Sequence, residues 1–290
     1  ETLLSLAKKA GATHADAVAT HGRSLSVSVR GGDIEDVDSS EGKDVGLRVM
    51  IGKRQACVST SDLSSDSLNQ LAERAIAMAR LAPEDPYCGL APIERLSQSD
   101  IDLDLFDPAT RTPDQLKAKS QELERAALSV KGVAQANGAS AGVTSSAIFF
   151  ATSDGFGKGW RSSRHSMSVV AIAEDGDGME RDYDYTGERW LEDIREAEDI
   201  GLLAGQRAVA RLGASQLPSG KLPVMFDRRV AASLISALSG SISGPSVSRG
   251  VSFLLGKTGQ DIFSKDIQII DNPLISRGHG SRPWDGEGVG

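Results

Sequence analysis

The first part of the chain alternates polar and apolar residues with the two-residue period of β-strands. Residues 24–30 read Ser-Leu-Ser-Val-Ser-Val-Arg, an alternation typical of a half-buried strand. Gly31-Gly32 follows directly, and two glycines favour a tight hairpin turn. A second alternating run, 45–51, precedes Gly52-Lys53, which can turn the chain back into residues 55–60. The pattern predicts antiparallel strands joined by short turns.

Helical spacing predicts the elements that flank these strands. Residues 2–12 form a short expected helix ended by Gly11, and an apolar stripe from Leu68 to Ala79 predicts a helix that Pro83 stops. The same criteria predict the later elements. A connector spans 82–113, and a capping box at 112–115 starts the next helix. Strands at 148–152 and 167–173 and a long helix over 191–212 follow.

The order of helix, several strands and long helix occurs twice, so the sequence predicts an α+β fold with antiparallel sheets and flanking helices. A duplicated unit would produce this order, although no residue-level repeat accompanies it. The pattern changes after Pro218. We therefore expect one domain over residues 1–218 and the start of another over 219–290.

Composition restricts the class of protein. The 290 residues carry a net charge of −8, from 40 acidic and 32 basic side chains, which opposes direct nucleic-acid binding. No apolar run approaches the roughly 20 residues of a membrane span, and no signal-like core stands at the N-terminus. Cys57 and Cys88 make no disulfide framework, so a reducing, cytoplasmic location is expected.

Metal sites find little support in the residues. The four histidines are His14, His21, His165 and His279, and none has a second His or a Glu at helical ligand spacing on a predicted helix. His14 and His21 bracket a predicted strand, where surface histidines are common. We therefore expect no metal ligand and no catalytic residue in this chain.

Three further motifs have simpler readings. Asp182, Asp184, Thr186 and Asp193 imitate a calcium loop within the acidic run 174–193, but the last ligand should be Glu, so a solvated hairpin and helix start is preferred. Glycines at 155–159 lack P-loop spacing and favour a turn. Ile242 stands where a nucleophile elbow needs serine.

The run 277–285 combines glycines with arginine, tryptophan and aspartate. Arg282, Trp284 and Asp285 suit a peptide-contact or interface loop, because Arg and Trp are favoured binding anchors. The alternative, which carries equal weight, is a solvent-exposed loop held by an Arg282–Asp285 ion pair. We add Arg249 to these candidate contact residues.

Short motifs in a specific order make the chain resemble the TldD/PmbA family, long described as modulators of DNA gyrase and regarded as intracellular metalloproteases. They are residues 45–49, 59–63, 75–80, 226–227, 249–253, 271–273 and 281–287. In the proteolytic branch, TldD, a helix carries His-Glu-x-x-x-His. The corresponding run here is Ser236-Ala-Leu-Ser-Gly-Ser241, after a predicted strand at 222–226 and inside a helix expected to begin near Arg229. The chain therefore resembles the PmbA, or TldE, branch.

The resemblance implies a function shared with another subunit. A TldD-like partner would supply zinc and the catalytic Glu, and the homo- or hetero-oligomer would cut peptides, including peptide-antibiotic precursors, inside a chamber. It also implies that residues 219–290 begin a β-rich domain that continues past Gly290 in relatives. Two alternatives stay open, namely an independent hydrolase completed beyond Gly290 and a structural homodimeric adaptor.

Overall fold

The alternating segments form one six-stranded antiparallel sheet with the order β3-β2-β1-β4-β5-β6. The computed structural model describes residues 1–176 and 178–290. Its strands are β1 (His14–Arg30), β2 (Asp33–Ile51), β3 (Arg54–Thr60), β4 (Val133–Thr152), β5 (Gly157–Asp175) and β6 (Gly178–Glu188). The predicted α+β class with antiparallel strands and flanking helices is confirmed.

The β1–β2 hairpin turns at Gly31-Gly32 as predicted. Both glycines have positive φ, 61° and 84°, a combination that side chains other than glycine rarely adopt. The Glu124 carboxylate accepts hydrogen bonds from both turn amides, at 2.6 and 2.7 Å, so a helix anchors the hairpin.

The strands are longer than the alternation predicts. β1 begins at His14 and includes His21, so the expectation that these histidines bracket a strand is wrong. The extension has a physical cause, because β1 pairs with β2 on one side and β4 on the other. Two ladders of hydrogen bonds keep the backbone extended even where the side chains do not alternate.

Four helices accompany the sheet, and they are α1 (Thr2–Ala10), α2 (Ser65–Leu81), α3 (Pro113–Leu128) and α4 (Ala197–Ala210). The capping box at the start of α3 is confirmed, since the side chains of Thr112 and Gln115 each accept the other's backbone amide. The connector between α2 and α3 contains a single 3-10 turn, Ile93–Arg95.

The single helix predicted over residues 191–212 is wrong. A separate 3-10 turn, Leu191–Asp193, precedes α4. Asp107 holds this turn by accepting the Leu191 amide at 2.8 Å, and the Trp190 indole donates to the Asp104 carbonyl at 2.8 Å. These long-range bonds to the connector override the local helical preference.

The element order helix–three strands–helix occurs twice, once from α1 to α2 and once from α3 to α4. The two halves meet where β1 pairs with β4 at the centre of the sheet. This order agrees with the duplication hypothesis at the level of topology.

Both helix pairs cover the same face of the sheet. Ala15 and Val27 lie an even number of residues apart on β1 and so share a face. Ala15 packs in the cluster under α1 and α2, whereas Val27 packs in the cluster under α3 and α4. Close packing of α3 on α4 depends on Gly201, where an added Cβ would lie 2.5 Å from the Leu123 carbonyl oxygen.

The acidic run around β6 differs from the solvated hairpin that we expected. Asp184 is buried and paired with Arg195 at 2.6 Å and Arg207 at 2.8 Å, and buried Asp182 lies 3.5 Å from Arg211. Arginines on α4 and just before and after it thus neutralise these carboxylates, so the run needs no calcium. Asp177, in the same run, lies outside the described residues.

The chain divides into two compact units, Glu1–Ala214 with Asn272–Gly290, and Ser215–Asp271. The family-domain boundary near residue 218 stays a prediction, because compactness does not test it. The second unit holds α5 (Arg228–Ile242) and α6 (Gly244–Ser248). The expected helix start near Arg229 is confirmed.

The strand predicted at 222–226 is wrong, and within its described residues the second unit has no strand. An extended segment becomes a strand only when another pairs with it. The β-rich character expected after residue 218 is therefore not found in this unit.

His165 and Asp107 form a buried pair between β5 and the connector. The His165 Nε2 atom lies 3.1 Å from a carboxylate oxygen of Asp107, but neither ring nitrogen is hydrogen-bonded within the described part of the chain. Burial lowers the pKa of His165 below 6.5 and outweighs the opposing effect of Asp107. Burial works to raise the pKa of Asp107, yet the amides of Leu191 and Ala109 hold it below 3.8.

This pair predicts a loss of stability toward acid. With a lowered folded pKa, His165 binds its proton more readily in the unfolded chain, so stability falls as the pH drops through about 6.5. His165→Gln should flatten the slope between pH 7.5 and 5.5 by at most about 1.4 kcal/mol per pH unit. Urea unfolding at several pH values measures it.

His14→Gln is the matched control. His14 is exposed, and its ring Nδ1 atom lies 3.4 Å from a carboxylate oxygen of Asp154. The pKa of Asp107 lies below 3.8, so its titration changes stability only at a pH below the measured range of 5.5 to 7.5. Equal slopes in wild type and in both variants would contradict the prediction.

Candidate functional site

A groove with a volume of about 910 Å³ lies in the first unit and is lined mainly by the sheet face opposite the helices. Asp16 and Val18 lie on that face, one residue out of phase with Ala15. The groove reaches the edge strand β3 and the side of α2, and residues 282 and 284–287 border it. We call this cavity the sheet groove; its apolar lining includes Val18, Val58, Met78, Ile148, Phe150 and Trp160.

The predicted contact residues Arg282, Trp284 and Asp285 border the sheet groove. Trp284 is 7% exposed and packs on Phe150 and Phe156, with ring centroids 5.9 and 5.8 Å away. Asp285 accepts the backbone amides of Glu287 and Val289 at 2.8 and 2.9 Å. The segment is thus fixed by aromatic packing and by an aspartate-capped turn.

The Arg282–Asp285 ion pair that we considered does not occur among the described residues. The side chain of Arg282 instead lines the groove. Peptide contact by Arg282, Trp284 and Asp285 stays a prediction. Arg249 belongs to the second unit, where it caps the C-terminus of α6, and its contact role is likewise a prediction.

An ion network closes one side of the groove. Arg48 donates to Asp16 at 2.7 Å and to Glu287 at 3.1 Å, so it joins β1, β2 and the C-terminal segment. Burial raises the pKa of Asp16, although Arg48 opposes this effect. Burial alone would lower the pKa of Arg48, but the two carboxylates outweigh it and raise that pKa.

Cys57 lines the groove beside this network. Burial raises the pKa of its thiol, and the nearby Arg48 only partly opposes that effect. A thiol is a poor nucleophile because the thiolate is the reactive form. The groove therefore offers apolar surface, charge and hydrogen bonds, which suit binding rather than bond cleavage.

Sequence reasoning missed Asp16, Arg48 and Glu287. Arg48 falls within the recognised run 45–49, but its partner Glu287 is 239 residues away. Only the strand pairing and the return of residues 272–290 to the first unit bring these side chains together. No local signal could have found this network.

The helix α5 carries the run that corresponds to the zinc motif. The hydroxyls of Ser236 and Ser241 donate to helix carbonyls one turn earlier, at 3.0 and 2.7 Å. Across residues 1–176 and 178–290, no three His, Cys, Asp or Glu side chains come together to hold a metal ion. The described residues do not fit a zinc site.

The histidines are occupied elsewhere in single contacts with carboxylates. His21 lies 2.7 Å from Glu41, and His279 lies 3.2 Å from Glu188. None of the helices in the described part of the chain has the length and apolar character of a membrane span.

Three family models match the chain, and together they cover most of it. They are the PmbA/TldA metallopeptidase domain 1 over residues 15–79, the central domain over 106–212 and the C-terminal domain over 219–290. The chain belongs to the PmbA/TldD family.

Curated relatives agree with this assignment. The chain is 35% identical over 266 residues to the metalloprotease PmbA of Escherichia coli O157:H7. This match covers 91% of the chain and 59% of the relative. The chain is 32% identical over 287 residues to the PmbA homolog of Haemophilus influenzae, covering 99% of the chain and 63% of the relative. The chain thus spans roughly three fifths of these relatives' length.

Solved structures share the fold. A protein described as a modulator of DNA gyrase from Bacteroides thetaiotaomicron superposes with a TM-score of 0.92 and 23% identity, covering 99% of this chain and 66% of that one. TldE from Thermococcus kodakarensis has a TM-score of 0.67 and 18% identity, with coverage of 88% and 57%.

Trp284 should hold the 281–290 segment against the sheet. Removing its buried ring with Trp284→Ala is expected to lower the free energy of unfolding by about 3 kcal/mol or more, because the aromatic cluster loses its packing. The released segment should also become a substrate for the glutamate-specific endoproteinase Glu-C after Glu287, which Gly288 follows. Urea unfolding and limited proteolysis measure both effects.

Tyr87→Ala is the matched control, since the Tyr87 ring is 87% exposed. We expect that variant to keep wild-type stability and wild-type resistance to Glu-C at Glu287. The same response in both variants would refute the anchoring role of Trp284.

Proposed function

We propose that this chain is a non-catalytic, PmbA/TldE-like subunit of an intracellular metalloprotease complex that acts on peptides. A TldD-type partner supplies zinc and the hydrolytic residues. This subunit helps to hold the peptide substrate. Maturation of peptide antibiotics is one process that such a complex serves.

The observation that carries the proposal is the composition of α5. A zinc-protease helix needs two imidazoles on one face and a Glu that activates water. In the run 236–241, α5 has serine, alanine, leucine and glycine, and its two terminal serine hydroxyls bond to the helix itself. Family membership without these ligands supports a role beside another subunit's metal.

The sheet groove supports the substrate role. Its apolar lining can take side chains of a peptide, whereas Arg74 and Arg282 at its border can meet backbone carbonyls or acidic groups. β3 is an edge strand, and its residues Val58 and Ser59 line the groove. An extended peptide could add to such an edge by main-chain hydrogen bonds.

The proposed roles of the two subunits predict different results for the isolated protein and for the complex. The purified full-length protein should bind no stoichiometric zinc and cleave no peptide, because its helix lacks the ligands. Mixed with the TldD-type protein from the same source, it should form a complex that cleaves peptides and contains zinc. Metal analysis, size-exclusion chromatography and peptide-cleavage assays measure these outcomes.

Tight zinc and cleavage by the isolated protein would instead favour an independent hydrolase. Failure to associate, under conditions where a known pair associates, would favour a structural adaptor. Either result would overturn the proposal.

The substrate role has its own test. Met78 is 47% exposed and lines the sheet groove, so Met78→Glu should raise the KM of the complex for apolar peptides several-fold with little change in kcat. Met179→Glu is the matched control, since Met179 is 62% exposed and lies on β6, outside that groove. An equal KM in both variants, with association intact, would exclude the groove from substrate binding.

A further inference from the structure

A second cavity, of about 470 Å³, lies on the helix-covered side of the sheet. Residues 106–111 of the connector form one wall, and strands β1, β2, β4 and β5 form the others. The cavity shares no lining residue with the sheet groove. We call it the arginine cavity.

Arg111 lines this cavity with an unsatisfied charge. Its Nη1 atom is shielded from solvent and has no hydrogen-bond partner among the described residues. Within residues 1–176 and 178–290, no carboxylate pairs with Arg111, and burial lowers the pKa of its guanidinium. A buried donor left without an acceptor is costly, which makes a bound acceptor favourable at this position.

Arg161 gives the cavity a second cation. Its guanidinium carbon lies 3.5 Å from the centroid of the Phe106 ring, so the aromatic face fixes the orientation of the fork. Stacking on Phe106 covers one face of the Arg161 guanidinium and leaves the N–H groups at its edge able to donate to a ligand. No carboxylate in the described part of the chain forms an ion pair with Arg161 either.

The acidic groups that line the cavity are already engaged. Glu41 contacts His21 and Arg23 at 2.7 and 3.1 Å. Asp107 accepts the amides of Ala109 and Leu191, both at 2.8 Å. Neither carboxylate therefore cancels the charges of Arg111 and Arg161.

The remaining lining sets the size and chemistry of a ligand. Hydroxyls of Ser39, Ser40 and Ser145 can add hydrogen bonds, and Leu25 and Val143 offer apolar surface. Guanidinium groups bind carboxylate and phosphate oxygens in the same forked geometry. A chain with a net charge of −8 otherwise repels anions, so this pair of cations is a local exception.

We propose that the arginine cavity binds a small organic oxyanion, a carboxylate or a phosphate ester, between Arg111 and Arg161. The serine hydroxyls complete its hydrogen bonds, and its organic part lies on Leu25 and Val143. This site is independent of the function proposed for the sheet groove.

The test titrates the full chain with sodium phosphate and, separately, with sodium acetate, while sodium chloride holds the ionic strength constant. We expect a saturable rise in Tm together with broadening of the phosphate ³¹P signal or of the acetate methyl signal. Binding of phosphate alone identifies a phosphate ligand, binding of acetate alone identifies a carboxylate, and binding of both supports the shared oxyanion chemistry.

Arg111→Gln and Arg161→Gln should each weaken this binding by about tenfold or more, because each removes a charged hydrogen-bond donor. Arg125→Gln is the control with the same charge change, since Arg125 is exposed on α3 and, among the described residues, its side chain donates to the Gln121 carbonyl alone.

No saturable effect beyond that of chloride in the wild type would overturn the proposal. Equal weakening by Arg125→Gln would overturn it as well, since the effect would then be general electrostatics. Should Arg111→Gln fail to fold, the Arg161→Gln variant decides the question alone.

Discussion

The pairing of β1 with β4 is the interaction on which the rest of the first unit depends. Its register runs without interruption from Asp16 opposite Thr152 to Val29 opposite Ala139. The ladder joins two helix–three strands–helix halves, and among the described residues no other strand of one half pairs with a strand of the other. Because side chains alternate along a strand, this one ladder also fixes which residues face the helices and which face the sheet groove.

Both cavities follow from that alternation. Leu25 and Val143, which line the arginine cavity, project to the helix-covered face, whereas Val18 and Phe150 project into the groove on the other face. A slip of one residue between β1 and β4 would exchange these sets and bury the polar ones. Gly142 permits close approach at this ladder, since an added Cβ would lie 3.1 Å from the Ser26 Cβ atom and 3.3 Å from the Leu25 carbonyl oxygen.

Several carboxylates of this acidic chain serve as structural acceptors. Glu124 holds the first hairpin, Asp107 holds a turn before α4, and Asp184 ties β6 to two arginines. Charged hydrogen bonds are stronger than neutral ones when their partners are fixed. Asp182 and Asp184 are already paired with arginines, which argues against calcium binding by the calcium-like spacing at 182–193.

The sequence allowed local structure to be predicted well and long-range structure poorly. The Gly31-Gly32 turn, the capping box at Thr112 and the end of α1 at Gly11 depend on neighbouring residues, and all three were predicted correctly. The strand expected at 222–226 and the helix expected to start at Leu191 depended on distant partners, and both were wrong.

The same division applies to the candidate site. Residues 281–287 could be recognised from their composition, but the burial of Trp284 against Phe150 depends on a contact across more than a hundred residues. Arg48 could not be connected with Glu287 for the same reason, since pairing is set by the sheet and not by spacing along the chain.

The contrast between α5 and the first unit gives the proposed function its physical basis. Cleavage of a peptide bond needs an activated nucleophile or a metal-bound water, and neither the serines of α5 nor the protonated Cys57 thiol provides one. Binding needs only preorganised surface, and Trp284, the Arg48 network and the edge strand β3 are each held by contacts that exist without a ligand. Under the proposed function, this preorganised surface in the described part of the chain would orient a substrate for chemistry performed by another subunit.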